Sequence, residues 1–359
     1  MMKEMADRFR TEGTIIQCIP FGSGHINQTW LVVTNRPHLY ILQRVNTETF
    51  RDPTGLMNNI LMVTEHLRKQ DPDPRHVMTL VKLKDGRDYI LSSQKELWRM
   101  YEYVTGGVCL DRAETAADFR NSGIAFGTFQ KRMSDFPADR LTETIPAFHD
   151  TPKRFRDFHE AVREDRAGRA GSVQREIDFM MEREADAGLL QQMRRNRELP
   201  LRVTHNDTKL NNVMLDEKTR EPLCILDLDT VMPGLAANDF GDSIRFGAST
   251  AEEDERNINK VHLDLNLYRA YAEGFLDACG KQLTPAEKET LPDGARIITL
   301  ENAVRFLTDY LNGDVYYHTD RPEHNLDRTR TQMALTEEME KKDGTIRRMI
   351  REIVNGGSI

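Results

Sequence analysis

Apolar and polar positions follow two different periods along this chain. Up to about residue 105, short β-branched and aromatic runs alternate with turn residues. Thr14 to Pro20, Thr29 to Thr34 and Tyr40 to Val45 each read as strands. Gly22-Ser23-Gly24 forms a turn after the first, and Asn35-Arg36-Pro37 separates the second from the third. Asp52-Pro53-Thr54 opens a helix expected to reach about Lys69, because Leu56, Ile60, Val63 and Leu67 recur at helical spacing. Asp71-Pro72-Asp73-Pro74 ends it. Val77 to Leu83 and Asp88 to Leu91 are expected to form a hairpin across Lys84-Asp85-Gly86. Leu97 to Val104 reads as a last strand, leading into Thr105-Gly106-Gly107.

Beyond that glycine pair the period turns helical. Phe119, Phe126, Phe129 and Met133 lie at roughly helical spacing, as do Phe155, Phe158 and Val162, and then Ile177 to Glu184. One strand-rich island interrupts at residues 201 to 229. The pattern predicts an α+β fold with a β-rich lobe over 1–104 and a larger helical lobe over 105–359. A chain of 359 residues is long for one average domain and fits two lobes sharing a cleft.

Composition narrows the function. The hydrophobic fraction is 38%, enough for real cores, and the charged fraction of 30% describes a soluble surface. Net charge is -8 with no basic cluster, which argues against nucleic acid as a partner. Cys18, Cys109, Cys224 and Cys279 have no zinc-ligand or redox spacing and read as reduced thiols. The charged first residues lack the apolar core of a signal peptide, and no stretch approaches the ~18 apolar residues of a membrane span. A cytoplasmic protein with no membrane partner is the expectation. A monomer is the default, since no heptad pattern occurs.

The island, LRVTHNDTKLNNVMLDEKTREPLCILDLDT, carries the candidate chemistry. Val203-Thr204 is extended and His205-Asn206-Asp207 opens a polar loop. Val213 to Leu215 and Leu223 to Leu226 are short strands, the second ending in Asp227-Leu228-Asp229. Phosphoryl transfer needs a carboxylate at the attacking hydroxyl and oxygen ligands for magnesium on the phosphates. Magnesium takes few protein oxygens. Asp207 suits the base, Asn212 offers a neutral oxygen, Asp227 a charged one, and His205 braces the loop. A lone Asp-x-Asp more often marks a polar hairpin with surface acids. HxDxxxxN followed by an apolar strand and DxD is far more specific. Metal-dependent hydrolysis would want a tighter cluster of acids or histidines.

These residues resemble the phosphotransferase motif of the aminoglycoside phosphotransferase and choline kinase superfamily. Further segments, GHINQTWLV, YILQRVNTETF, LTETIPAFHDTP, DFGDSIRFGAST, GDVYYH and PEHNLDRTRTQ, resemble the N-acetylhexosamine 1-kinase family over nearly the whole chain. The resemblance implies a bilobal protein-kinase-like fold. It implies ATP and Mg2+ as cofactors, with phosphate passing to the anomeric hydroxyl of N-acetylglucosamine or N-acetylgalactosamine. Carried over by position, Asp207 is the catalytic base, and Asn212 and Asp227 hold the metal. Gly22, Ser23, Gly24 and His25 cover phosphate. Arg44 stands where the superfamily's phosphate-pairing lysine is expected, and Glu102, Tyr103 and Val104 form the adenine-binding hinge. The turn is GSGHIN rather than a full G-x-G-x-x-G, and arginine replaces lysine at position 44. Glu65 is the one acid on the helix over 54–69, so Asn59 is the candidate for a hydrogen-bonding role there. Asp229 is a candidate second metal or water ligand, and reads equally as a solvated or structurally bracing acid.

A sugar needs paired donors and acceptors. Asn27, Asp239, Arg245, Arg305 and Tyr317 are the candidate substrate contacts. Asp242 reads equally as part of a helix-start network, and Arg245 and Arg305 equally as ion-pair partners. Glu301 and Arg305, four apart, share a helix face. A phosphotransferase for another hexose, choline or an aminoglycoside is the competing reading. A non-catalytic nucleotide-binding pseudokinase is another, disfavoured because Asp207, Asn212 and Asp227 are all present.

Overall fold

A computed structural model describes residues 2–22, 26–94 and 96–356. In chain order its early elements are α1 (Met2–Ala6), β1 (Ile15–Pro20), β2 (Gln28–Thr34), β3 (Leu39–Val45), α2 (Pro53–Gln70), β4 (Ile90–Leu91), β5 (Leu97–Glu102) and β6 (Gly107–Cys109). Then come the helices α3 (Ala116–Arg132), α4 (Thr151–Glu164), α5 (Gln174–Ala187) and α6 (Leu189–Arg195). The island supplies β7 (Arg202–Thr204), β8 (Val213–Asp216), β9 (Pro222–Ile225) and β10 (Met232–Gly234). Five helices complete the chain: α7 (Ala236–Gly247), α8 (Leu265–Cys279), α9 (Pro285–Glu289), α10 (Leu291–Asn312) and α11 (His324–Val354).

The chain forms two compact units. The first runs to Val108 and also takes in Asp139–Pro146 and Met214–Met232; the second comprises Cys109–Ala138, Ala147–Val213 and the chain from Pro233 onward. The island is thus divided between the units.

The first unit is built on an antiparallel sheet of order β1-β2-β3-β5-β4. Alternation puts Tyr40 and Leu42 of β3, with Trp98 and Met100 of β5, on one face, where they pack with Val32, Ala6 and Phe9. Gln43 and Arg99, paired in the register of β3 and β5, lie on the other face. Helix α2 starts as its sequence predicts: Asp52 Oδ1 accepts from the Gly55 amide at 2.9 Å, and Pro53 stands at the first turn.

The expected hairpin of Val77 to Leu83 with Asp88 to Leu91 does not form as a strand pair. Ile90–Leu91 pairs with Leu97–Trp98, while Val81 donates to Met100 O at 2.8 Å and Glu102 donates to Thr79 O at 2.9 Å. The two segments therefore lie end to end along one edge of β5, a strand buried at five of its six positions. The intervening turn does form, with Gly86 at φ +94°. A separate three-stranded sheet has the order β6-β8-β9.

In the second unit, α3 begins with a reciprocal capping box between Thr115 and Asp118. Phe119, Phe126, Phe129 and Met133 are all buried, as their spacing requires. Residues of α4, α5, α10 and α11, among them Phe155, Phe158, Met180, Leu300, Leu307 and Met333, form one core cluster. Helices α3 and α8 approach through glycine: a Cβ on Gly274 would run into the Arg120 carbonyl oxygen, and one on Gly123 into that of Tyr271. Gly274→Ala is expected to cost about 1–3 kcal/mol through the forced separation of the helices. The check is the urea midpoint; an unchanged midpoint would show that the helices part freely.

Candidate functional site

The loop carrying Asp207 hangs from β7 and is held by α7. Asp239, buried in the first turn of α7, accepts from the amides of His205 at 2.9 Å and Asn206 at 2.8 Å, and from Gln130 Nε2 at 2.9 Å. Burial pushes its carboxyl pKa up against these hydrogen bonds. Asp242 Oδ2 accepts from the Thr208 amide at 3.0 Å, while Thr208 Oγ1 donates to Asp239 O at 2.6 Å. Asn206 takes a left-handed conformation at φ +63°, which asparagine tolerates better than most residues. His205 is buried edge-on against Phe126 and accepts the Asp207 amide at Nδ1, 3.3 Å away. It braces the loop.

Asp207 itself presents a half-buried carboxylate. Lys209 Nζ lies 3.2 Å from Oδ1, and Asn212 Nδ2 donates to Oδ2 at 3.0 Å and to the Asp207 carbonyl at 2.9 Å. The amide nitrogen of Asn212 is thus spent on Asp207, which turns its Oδ1 toward other partners. Burial lowers the Lys209 pKa less than the Asp207 carboxylate raises it, so the ammonium is held charged.

Two expected substrate contacts are committed elsewhere. Asp239 has both oxygens engaged in bracing the loop. Arg245 is buried between carboxylates, at 2.9 Å from Asp242 Oδ1 and 2.5 Å from Glu253 Oε1. Arg305 takes another course. Its guanidinium lies over the ring of Phe148 at 5.2 Å and that of Tyr317 at 5.7 Å instead of joining Glu301. Tyr317 packs on Phe306, its hydroxyl is buried without a hydrogen-bond partner among the described residues, and burial pushes its pKa up to about 12. Tyr316 is exposed.

The first unit contains Asp227, in a left-handed conformation at φ +52° just past β9. Leu228–Thr230 is a single 3-10 turn rather than strand, so Asp227 and Asp229 do not share a strand face. Of the readings open for Asp229, its contacts match structural bracing. It is buried against Arg99 Nη1, accepts from Asn27 Nδ2 at 2.7 Å, and its carbonyl accepts from Thr144 Oγ1 at 3.1 Å. Asn27, a candidate substrate contact, links Asp229 to the Asn46 amide, 3.0 Å from its Oδ1. Asn59 Nδ2 donates to Thr142 O at 2.7 Å and Val231 O at 2.9 Å, while Glu65 pairs with Lys69 at the surface. Arg44 lies on the face of Tyr40 and Leu42 and pairs with Glu96 at 2.5 Å; the cation on the face of Gln43 is Arg99. Gly22 has φ +81°, which favours glycine. Ser23, Gly24 and His25 lie outside the described residues. At the expected hinge, Glu102 donates to Thr79 O and Tyr103 to Leu39 O, with Val104 following.

A family model described as the phosphotransferase enzyme family APH matches residues 17–273. The chain belongs to that family. Solved structures agree on the fold. An aminoglycoside phosphotransferase from Alicyclobacillus acidocaldarius subsp. acidocaldarius DSM 446 is similar at a TM-score of 0.65 and 12% identity, over 98% of this chain and 96% of that one. A microcompartment-associated aminopropanol kinase matches at 0.61 and 14%, over 96% and 97%. An amicoumacin kinase solved with AMP-PNP and Ca2+ matches at 0.61 and 13%, over 99% and 93%. This phosphotransferase therefore has a kinase-like α+β fold, with a β-sheet N-lobe and a helical C-lobe. Among the described residues, no helix is long and apolar enough to cross a membrane.

Three polar residues of the phosphotransferase escaped the sequence reading. Arg99 interrupts an apolar strand, a signal that a buried acid must answer it. Lys209 follows Asp207 by two residues. His149, in the FHDTP segment, is tied to Glu301; nothing local marks it.

Proposed function

We propose that this phosphotransferase is an ATP- and magnesium-dependent kinase that phosphorylates the 1-hydroxyl of N-acetylhexosamines, with Asp207 as base. The observation that carries the reading is the fixed carboxylate of Asp207. Its loop is pinned by Asp239 and Asp242, one oxygen is paired with Lys209 and the other accepts from Asn212. A base so placed takes the proton of an acceptor hydroxyl as the oxygen–phosphorus bond forms. An anomeric hydroxyl is more acidic than an ordinary alcohol, so the demand on that base is modest.

Asn212, its amide nitrogen turned to Asp207, and Asp227 supply hard oxygen donors of the kind magnesium accepts. A magnesium ion held by these oxygens would supply positive charge against the negative charge developing in phosphoryl transfer. Gly22 with Ser23, Gly24 and His25 is assigned to covering phosphate, and Glu102 to Val104 to adenine. Lys209 adds positive charge beside Asp207. The sugar itself is supported by the N-acetylhexosamine 1-kinase resemblance and by the Phe148–Arg305–Tyr317 cluster, which offers donors and aromatic faces.

A two-substrate assay with Mg-ATP and a panel of N-acetylhexosamines, hexoses, choline and aminoglycosides tests this, with phosphorus NMR assigning the product. The expected product is an N-acetylhexosamine 1-phosphate. Turnover of choline or an aminoglycoside alone would overturn the sugar and leave the family intact.

A further inference from the structure

Glu301 sits mid-way along α10 with no exposure at all, where an ionised carboxylate needs strong partners. It has two. His149 Nδ1 lies 2.9 Å from Oε1, and Thr151 Oγ1 donates to Oε2 at 2.7 Å. Burial alone would raise the Glu301 pKa, but the imidazole, Arg305 and the Thr151 hydroxyl together hold the carboxyl below its ordinary value. A carboxylate only accepts, so Nδ1 of His149 bears hydrogen. The backbone beneath is fixed as well: Gln191 Nε2 donates to His149 O at 2.6 Å, and Arg154 Nη2 donates to Phe148 O at 2.8 Å.

The other ring nitrogen is the unusual one. The His149 side chain is 8% exposed, yet its Nε2 is buried with no hydrogen-bond partner among the described residues. Leaving such an atom unsatisfied is costly, and native structures keep few of them without a functional reason. The imidazole packs at a tilt on Phe148, ring centroids 4.5 Å apart; Phe148 lies under Arg305, and Arg305 also covers Tyr317, whose hydroxyl has no hydrogen-bond partner among the described residues. His149, Phe148, Arg305 and Tyr317 all belong to the unit that contains Asp207.

We propose that Glu301 and His149 form a substrate-positioning pair, in which Glu301 orients the imidazole and Nε2 hydrogen-bonds a ring hydroxyl of the acceptor other than the one that receives phosphate. The proposal rests on the reading of the protein as a sugar kinase and extends it to a residue with no role in proton transfer. Such a contact favours acceptors that carry several hydroxyls over a single alcohol, since an acceptor lacking the partner hydroxyl leaves Nε2 buried and unpaired.

The test uses His149→Asn, whose amide nitrogen keeps a donor for Glu301 but has nothing at the Nε2 position. His149→Gln, which sets an amide nearer Nε2, is the companion variant. His149→Asn is expected to raise the sugar KM about 10- to 100-fold, the range for one lost buried hydrogen bond. The ATP KM and melting temperature should stay near wild type, and His149→Gln should recover part of the loss. Monodeoxy sugars identify the partner: one analogue should lose affinity in wild type and lose little more in His149→Asn, the non-additivity expected of a direct contact. An unchanged sugar KM in a folded His149→Asn protein, or equal penalties for every deoxy sugar in wild type and variant, would overturn the pair. If His149→Asn does not fold, the same deoxy-sugar comparison is made with His149→Gln, and equal penalties there overturn the pair too. Wild-type protein that phosphorylates no sugar at all would instead bring down the kinase reading, and this inference with it.

Discussion

Asp207→Asn is expected to fold, to bind Mg-ATP, and to lose at least about a hundredfold in turnover, within the ~10²–10⁴-fold that a positioned base contributes. The substitution is mild in structure. Asparagine keeps an oxygen to accept from Asn212 Nδ2, and the Asp239 and Asp242 contacts that pin the loop are to backbone amides, which it does not touch. The ion pair with Lys209 is lost, but both partners are partly exposed, and such pairs contribute little to stability. Turnover and melting temperature measured on one preparation separate chemistry from folding. Near-normal turnover would show that Asp207 is not the base.

The second large effect falls on stability. Arg99 and Asp229 are 1% and 2% exposed and pair inside the first unit. Burial works against the Arg99 charge, and Asp229, with Tyr101 and Asp227, more than offsets it. Arg99→Met should cost about 3–5 kcal/mol, because it strands a buried carboxylate rather than merely deleting a contact. Asp229→Leu should cost a similar amount by stranding the guanidinium. The double variant should regain much of the loss, since neither charge then remains buried alone. Urea unfolding of the three variants gives the answer. Additive losses in the double variant would mean that the two side chains do not depend on each other.

The elements that depend on local pattern were legible in the sequence. The stripe Leu56, Ile60, Val63 and Leu67 is buried on α2, and the phenylalanines of α3 line its core face, because helical period and burial are one constraint. The contacts of Asp207 with Lys209 and Asn212 were legible for the same reason, because they lie within one short loop. What stayed hidden was partnership across distance. Arg99 finds Asp229 across 130 positions, and His149 finds Glu301 across 152. Nothing near either residue encodes the other. Local rules also misled where tertiary contacts competed. Four-residue spacing suggested Glu301 with Arg305, but His149 and Thr151 took the carboxylate and two aromatic rings took the guanidinium. Arg44 had the expected position along β3, yet strand alternation turned it to the opposite face from Arg99.

The first unit recruits Asp139–Pro146 and Met214–Met232, and this has a consequence for biosynthesis. A nascent chain that has emerged only to Val108 holds every strand of the five-stranded sheet but lacks the acid for Arg99 and the carbonyls of Thr142 and Val231 that receive Asn59. At translation rates of roughly 5–20 residues per second, the missing pieces arrive on the order of ten seconds later. For that interval the sheet displays an unanswered cation on one face. The N-terminal portion therefore completes its core only after residue 232 has emerged, and its maturation is coupled to synthesis of the helices threaded between its own segments.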